Sequence, residues 1–317
     1  MMGEIMKIGF LGTGAYAIAL SHLIKNDINI TMWTKFEDEK TMLLENRENK
    51  MVLKNYKFRE DIIITNDLEE CIKDSNIIII AIPSKFLKEL YSDIKKYIKP
   101  NQILCLASKG IDSEGFNTDI IKKYLNNDIV VLSGPTFAVD IINNIPIGLT
   151  LASDNNDNIK LINKIFNNVV LETSNDIKGV QLCGAIKNVY AIGMGIIDGL
   201  NYPISTKALY LTMCIKEVEL LLTKINCNKE TILTLAGIGD LYLTCNSENS
   251  RNFTFGTMIS KNEDFSKYLD KTTVEGVDAL KTIQKKIIND INCPIFNAIY
   301  NIVYNKASIQ ILIDTIN

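Results

Sequence analysis

Histidine is almost absent from this 317-residue chain: the single copy is His22. An imidazole-based metal cluster or a Ser-His-Asp triad needs more than that, so no metal site is expected. His22 falls in the first helical pattern and reads as a structural or surface residue. Paired cysteine motifs are missing as well. The seven cysteines, at 71, 105, 183, 214, 227, 245 and 293, are odd in number and none forms a Cys-x-x-Cys pair. That argues against a disulfide framework or a zinc site and fits a reducing cytosol. Neither sign of charge is in excess. Lys and Arg number 34 against 37 Asp and Glu, a formal net charge of −3, which gives no basic footprint for nucleic acid or anionic lipid. The opening Met-Met-Gly-Glu-Ile-Met is too short and too mixed for a signal peptide. Apolar runs such as 77–83 fall far below a bilayer span. No membrane span is expected, and the cytoplasm is the expected location. Repeats, low-complexity segments and a Pro/Gly/Ser-rich linker are also lacking.

What is present is a globular composition, with 47% hydrophobic and 22% charged residues over a length that suits two domains. The first half alternates strand-like and helix-like runs. Strands are expected over 7–12, 29–34, 61–65, 76–83, 102–108, 129–134, 146–152 and 169–173. The central ones are nearly continuous apolar runs, as in parallel strands covered on both faces. After about residue 180 strand-like runs stop. Helices are expected over 206–224, 229–236, 274–288 and 296–304. The pattern predicts an α/β doubly wound sheet over 1–180 and an all-α domain over 181–317.

Gly12-Thr13-Gly14-Ala15-Tyr16-Ala17 follows the first strand and opens a helix over 15–25. This is G-x-G-x-x-A in the setting a dinucleotide fingerprint requires, so the sheet is expected to be Rossmann-type. Gly12 permits the tight turn, Gly14 lets backbone approach a pyrophosphate, and Ala17 allows close helix–strand packing. The helix N-terminus, from Ala15 and Tyr16 onward, offers N–H groups and partial positive charge to the anion. The second strand ends at Trp33-Thr34-Lys35-Phe36-Glu37. Lys35 suits the 2′-phosphate of NADP and Glu37 the ribose of NAD. Lys35 is nearer the strand end, which favours NADP.

Lys187 stands in an otherwise apolar stretch, 183–197. Either its methylenes carry the ammonium to the surface, or burial depresses its pKa toward neutrality and makes it a general acid/base. Four other segments carry polar groups in compact sets: Ala107-Ser108-Lys109-Gly110 and 132–138 at strand ends, and 235–241 with Ser250-Arg251-Asn252 in the helical half. Strand ends are where open α/β sheets bind ligands. An arginine beside Ser and Asn suits phosphate, which it grips in a fork.

In order and approximate spacing these blocks, with 184–188, Asp198-Gly199 and Val274-Glu275-Gly276, resemble the bacterial NAD(P)-dependent glycerol-3-phosphate dehydrogenases from about residue 7 nearly to the end. The resemblance implies reversible reduction of dihydroxyacetone phosphate to sn-glycerol 3-phosphate, feeding glycerophospholipid synthesis. It implies that Lys187 is the catalytic lysine and that Lys109 touches both cofactor and substrate. Gly134, Thr136 and Ala138 would lie against substrate and nicotinamide, with Ala138 on the cofactor side. Asp240, Ser250, Arg251 and Asn252 would hold the substrate and its phosphate, with Asn188 beside them. Arg251 would also approach the cofactor, and Glu275 would contact it.

Simple chemistry agrees with those roles. Ketone reduction needs a hydride at carbon, which a nicotinamide supplies, and a proton at oxygen, which suits Lys187. Lys109 would depress the pKa of Lys187, while Asp240 would raise it and orient the ammonium. Phosphate held by Arg251 and Asn252 positions the reacting carbon.

Departures from the family pattern are local. Ala15 stands where Ser is common, Val52 where Tyr or Phe lies near the adenine, and Asn201 to Lys207 replace a Gly-rich turn. Leu211-Thr212-Met213-Cys214 replaces Ile-Thr-Arg-Gly. Two alternatives remain. One is another Rossmann-plus-helical hydroxyacid or ketoacid dehydrogenase, separable by activity with ketopantoate. The other is a catalytically silent nucleotide-sensing protein, against which the retention of Lys187, Asp240 and Arg251 argues. The large helical domain makes a homodimer the expected assembly, although no apolar stripe marks its face.

Overall fold

The computed structural model describes residues 6–288 and 291–317. The five opening residues, within the stretch read as unlike a signal peptide, lie outside the described residues. The chain forms two units. One is the chain up to Ser108 with Thr118–Ile177; the other is Lys109–Asn117 with Lys178–Asn317.

The first unit is built on an eight-stranded sheet. Its strands are β1 (Lys7–Leu11), β2 (Asn29–Trp33), β3 (Ile63–Thr65), β4 (Ile77–Ile80), β5 (Ile103–Leu106), β8 (Ile129–Ser133), β9 (Gly148–Ala152) and β10 (Val170–Ser174); β6 (Ile111–Asp112) and β7 (Gly115–Phe116) form a separate hairpin that belongs to the second unit. The spatial order is β10-β9-β8-β5-β4-β1-β2-β3. Neighbours are parallel except β8 and β9. Ile8 pairs with Ile30 on one side and Ile77 on the other, so the strand order reverses at β1. Ligands of such sheets bind beyond the carboxyl ends of the strands at this point. The four isoleucines of β4 are fully buried. β-branched side chains suit a strand, and burial on both faces explains why the run does not alternate.

The second unit is organised by the 23-residue helix Ile177–Gly199. Its most apolar 18-residue window has a mean hydropathy of 1.4, so by length and composition it is able to cross a membrane, and that window is wholly buried within the protein. This corrects the expectation that apolar runs stay far below a bilayer span. Lys187 and Asn188 interrupt the run in sequence, but the helix surface around them stays apolar. Glycines let a second helix lie directly on this one. A Cβ on Gly195 would strike the backbone of Phe253, and one on Gly256 the backbone of Ile192. The helix Arg251–Ser260 thereby packs backbone to backbone against the helix that carries Lys187.

Three other expectations need correction. Lys109–Asn117 belongs to the helical unit, although the sequence placed it in the first domain. Ile111 is buried in the helical core, and a Cβ on Gly110 would overlap the Gln181 backbone. The first helix spans Ala15–His22 and stops short of residue 25. The helix expected over 229–236 is broken. A 3-10 turn at Lys229–Leu233 ends in extended backbone at Thr234, whose side chain accepts a bond from Gly237 N, and a π-type turn follows at Leu235–Gly239. Threonine hydroxyls compete for backbone groups in this way and favour caps over helix interiors.

Candidate active site

The turn after β1 has the backbone its glycines foretold. Gly12 sits at φ +122°, where L side chains are strained, and a Cβ would lie 2.9 Å from Ala81 O. Around Gly14 the situation is opposite: a Cβ there would meet nothing within 4 Å. That open space, ahead of a helix whose first turn has no side-chain cap, fits a pyrophosphate. Ala17 is fully buried, as its packing role demands. Gly12 to Ala17 therefore suit a dinucleotide. Tyr16 Oη lies 3.3 Å from Thr136 Oγ1, which ties the fingerprint to the segment after β8. In that segment Gly134 adopts φ +156° against Gly148 and Leu149, and Ala138 opens the helix Ala138–Ile142.

The residues at the end of β2 are already paired. Lys35 Nζ donates to Glu89 Oε1 at 2.8 Å. Glu37 accepts from Asn66 and lies 3.4 Å from Lys40 Nζ. A brace that sequence reading missed sits behind the turn. Buried Asn49 donates to Thr13 O at 3.1 Å and to Glu39 Oε1 at 3.0 Å, and Thr34 Oγ1 donates to the same carboxylate. His22 closes the first helix, with Nδ1 2.9 Å from Tyr56 Oη and Nε2 3.0 Å from Asn144 Oδ1.

In the helical unit, Lys187 is 5% exposed and Asp240 is 1% exposed. Lys187 Nζ is ion-paired with Asp240 Oδ1, and Lys109 Nζ lies 3.8 Å from Asp240 Oδ2. Asp240 occupies the first turn of the helix Asp240–Cys245, where a carboxylate is favoured by the helix dipole. Its Oδ2 is buried without a hydrogen-bond partner. Burial lowers the pKa of Lys187 from 10.5 to about 8; Asp240 opposes the shift and Lys109 adds to it. The surface-reaching alternative for Lys187 is thus set aside, and the sign of its shift, which sequence left open, is downward. Desolvation of the ammonium outweighs the carboxylate of Asp240 beside it.

The remaining residues form a second polar chain. Asn188 Nδ2 donates to Glu275 Oε2 at 3.3 Å. Asn252 Nδ2 donates to Asn188 Oδ1 at 2.9 Å, and Asn252 Oδ1 accepts from Gly276 N at 2.8 Å. Ser250 caps the helix Arg251–Ser260 by accepting from Phe253 N. Arg251 is exposed at its start, its carbonyl accepting from Tyr268 Oη. In the family pattern's Gly-rich position, Asn201 takes φ +59°, and Lys207 pairs with Asp198. Asparagine is among the few side chains that tolerate that backbone.

Glu217 is the other residue missed. It is buried on the helix Ile204–Lys224 and accepts from Tyr190 Oη, Ile295 N and Phe296 N. It therefore holds the helix bearing Lys187 to the N-terminus of Pro294–Asn305. Its place between Cys214, Val218 and Leu221, on the apolar face, was a legible signal.

Comparison with known proteins agrees along most of the chain. Residues 7–159 match the family model for the NAD-dependent glycerol-3-phosphate dehydrogenase N-terminus, and residues 176–314 the model for its C-terminus. A glycerol-3-phosphate dehydrogenase (NAD(P)+) of Thermoanaerobacter sp. (strain X514) is 35% identical over 307 residues, covering 94% of this chain and 93% of that protein. Its counterpart in Fusobacterium nucleatum is 34% identical, covering 92% and 93%. The crystal structure of glycerol-3-phosphate dehydrogenase from Coxiella burnetii superimposes with a TM-score of 0.90 over 98% of each chain at 26% identity. A probable 2-dehydropantoate 2-reductase from Bacillus subtilis, at 12% identity and a TM-score of 0.58, covering 97% of this chain and 100% of that one, shares the fold alone. A dinucleotide cradle, a buried lysine–aspartate pair and matches that cover nearly every residue converge: this chain belongs to the NAD-dependent glycerol-3-phosphate dehydrogenase family.

Proposed function

We propose that this protein catalyses the reversible NAD(P)H-dependent reduction of dihydroxyacetone phosphate to sn-glycerol 3-phosphate, feeding glycerophospholipid synthesis, with Lys187 as general acid and base. The observation that carries the role of Lys187 is its burial against Asp240, with Lys109 beside the same carboxylate. Bound NAD(P)H supplies hydride to the carbonyl carbon. Lys187 Nζ gives its proton to the carbonyl oxygen in reduction and takes it back in oxidation. Its pKa near 8 keeps both forms accessible around neutrality. Asp240 Oδ1 orients the ammonium, and Oδ2, free of hydrogen bonds, accepts the substrate hydroxyl. Lys109 steadies charge on the substrate.

Arg251 takes the phosphate with its guanidinium fork. Ser250 and Asn252 hold the start of its helix in place by the bonds described above. Gly12 to Tyr16 receive the pyrophosphate at the helix N-terminus, and Glu275 and Ala138 complete the cofactor contacts. Lys35 receives a 2′-phosphate, which favours NADP over NAD. We place the enzyme in a reducing cytosol, because no disulfide joins the cysteines among the described residues. A homodimer is the expected assembly, measurable by light scattering.

The test is oxidation of NADPH or NADH on adding dihydroxyacetone phosphate, set against ketopantoate. Turnover with ketopantoate alone would transfer the assignment to the other reductase class. Silence with both would leave a nucleotide-binding protein.

A further inference from the structure

Cofactor choice in a Rossmann sheet is made at the end of the second strand. A carboxylate there accepts the ribose hydroxyls of NAD, and a cation accepts the 2′-phosphate of NADP. Here both kinds of group are present and they are bonded to each other. Lys35, just past β2, pairs at 2.8 Å with Glu89 on the helix Leu87–Ile94, which follows β4. Asp93, one turn further along that helix, adds its charge on the same side. Both partners of the pair are more than half exposed, so no core packing holds them together and a ligand has access to them.

We propose that Glu89 is a specificity-determining residue: it competes with the 2′-phosphate of NADPH for Lys35 and offers its own carboxylate to the 2′-hydroxyl of NADH. The inference rests on the reading of Lys35 as the 2′-phosphate partner. NADPH must take the ammonium away from Glu89 and then sit near the carboxylate it has displaced. NADH displaces nothing, since its 2′-hydroxyl donates to the carboxylate while the pair stays intact. Lys35 alone would make the site select NADPH. The pair moves it toward use of both cofactors, and the selecting carboxylate comes from the helix after β4, not from the end of β2 where it is usually sought.

The experiment measures the Kd of NADPH and of NADH by fluorescence titration without substrate, and kcat/KM for each with the full-length enzyme and dihydroxyacetone phosphate, at low and high salt; the NADPH/NADH ratio is read from both. It compares the natural protein with Glu89→Gln and Lys35→Gln. Glu89→Gln is expected to raise the NADPH/NADH ratio about fivefold at low salt, the size of one exposed charge contact. The gain should shrink as salt screens it. Lys35→Gln is expected to lower the ratio. An unchanged or lowered ratio in Glu89→Gln, with a drop in Lys35→Gln, overturns the role of Glu89 and leaves Lys35 in place. No drop in Lys35→Gln overturns both. Glu89 is largely exposed, so circular dichroism of each variant suffices to show that the fold is kept.

Discussion

Asp240→Asn isolates the electrostatics of the candidate active site. The substitution keeps the shape of a side chain that is 1% exposed and removes its charge from Lys187. In the natural protein burial pulls the Lys187 pKa down to about 8 even though Asp240 pulls it up. At an effective dielectric of ~20 and a separation of ~4 Å, one pair of charges is worth about 4 kcal/mol. At 1.36 kcal/mol per pKa unit that is at most about 3 units, and Lys109, 3.8 Å from the same carboxylate, would then act on Lys187 unopposed. The pKa of the amine should fall below neutrality. Reduction needs the ammonium, so its kcat/KM in the natural enzyme should be flat at low pH and decline above about pH 8. In Asp240→Asn that decline should move toward acid by on the order of 2 units. Oxidation of glycerol 3-phosphate needs the free amine, so its rising limb should move the same way. Lost contact with the substrate hydroxyl lowers both rates at every pH but does not displace either limb. Initial rates in both directions from about pH 6 to about pH 10 decide the matter. Limbs at the same pH in both proteins would refute the idea that Lys187 is the titrating group.

Lys187→Ala should lower kcat at least about 100-fold, the lower range for loss of a general acid, while NADPH affinity measured by fluorescence titration changes little; retained turnover would remove Lys187 from the chemistry. Arg251→Ala should raise KM for dihydroxyacetone phosphate about tenfold or more, from loss of charge-assisted bonds, and unchanged KM and kcat would exclude it from phosphate binding. Gly12→Ala forces a side chain onto φ +122° and within 2.9 Å of Ala81 O. It should cost about 2 kcal/mol, read as a Tm lowered by several degrees together with weakened cofactor binding.

Local pattern determined much of this protein. Runs such as Ile77–Ile80 become buried parallel strands because β-branched residues suit extended backbone and both faces are covered. Gly12 and Gly14 act through their own backbone, so their roles were readable within six residues. Glu217 was legible in the same sense, as an acid on an apolar helical face. Long-range pairing was another matter. Asp240 reaches Lys187 from 53 positions along the chain, and Glu89 reaches Lys35 from 54. Asn49 braces Thr13 from 36 positions away. Lys109 joins the helical unit because Ile111 beside it is buried there. The apolar stretch around Lys187 named the candidate amine, but its pKa depends on how much water is removed and which charges stand near. Both are properties of the packed chain, and packing alone decided that desolvation outweighs the carboxylate at Lys187.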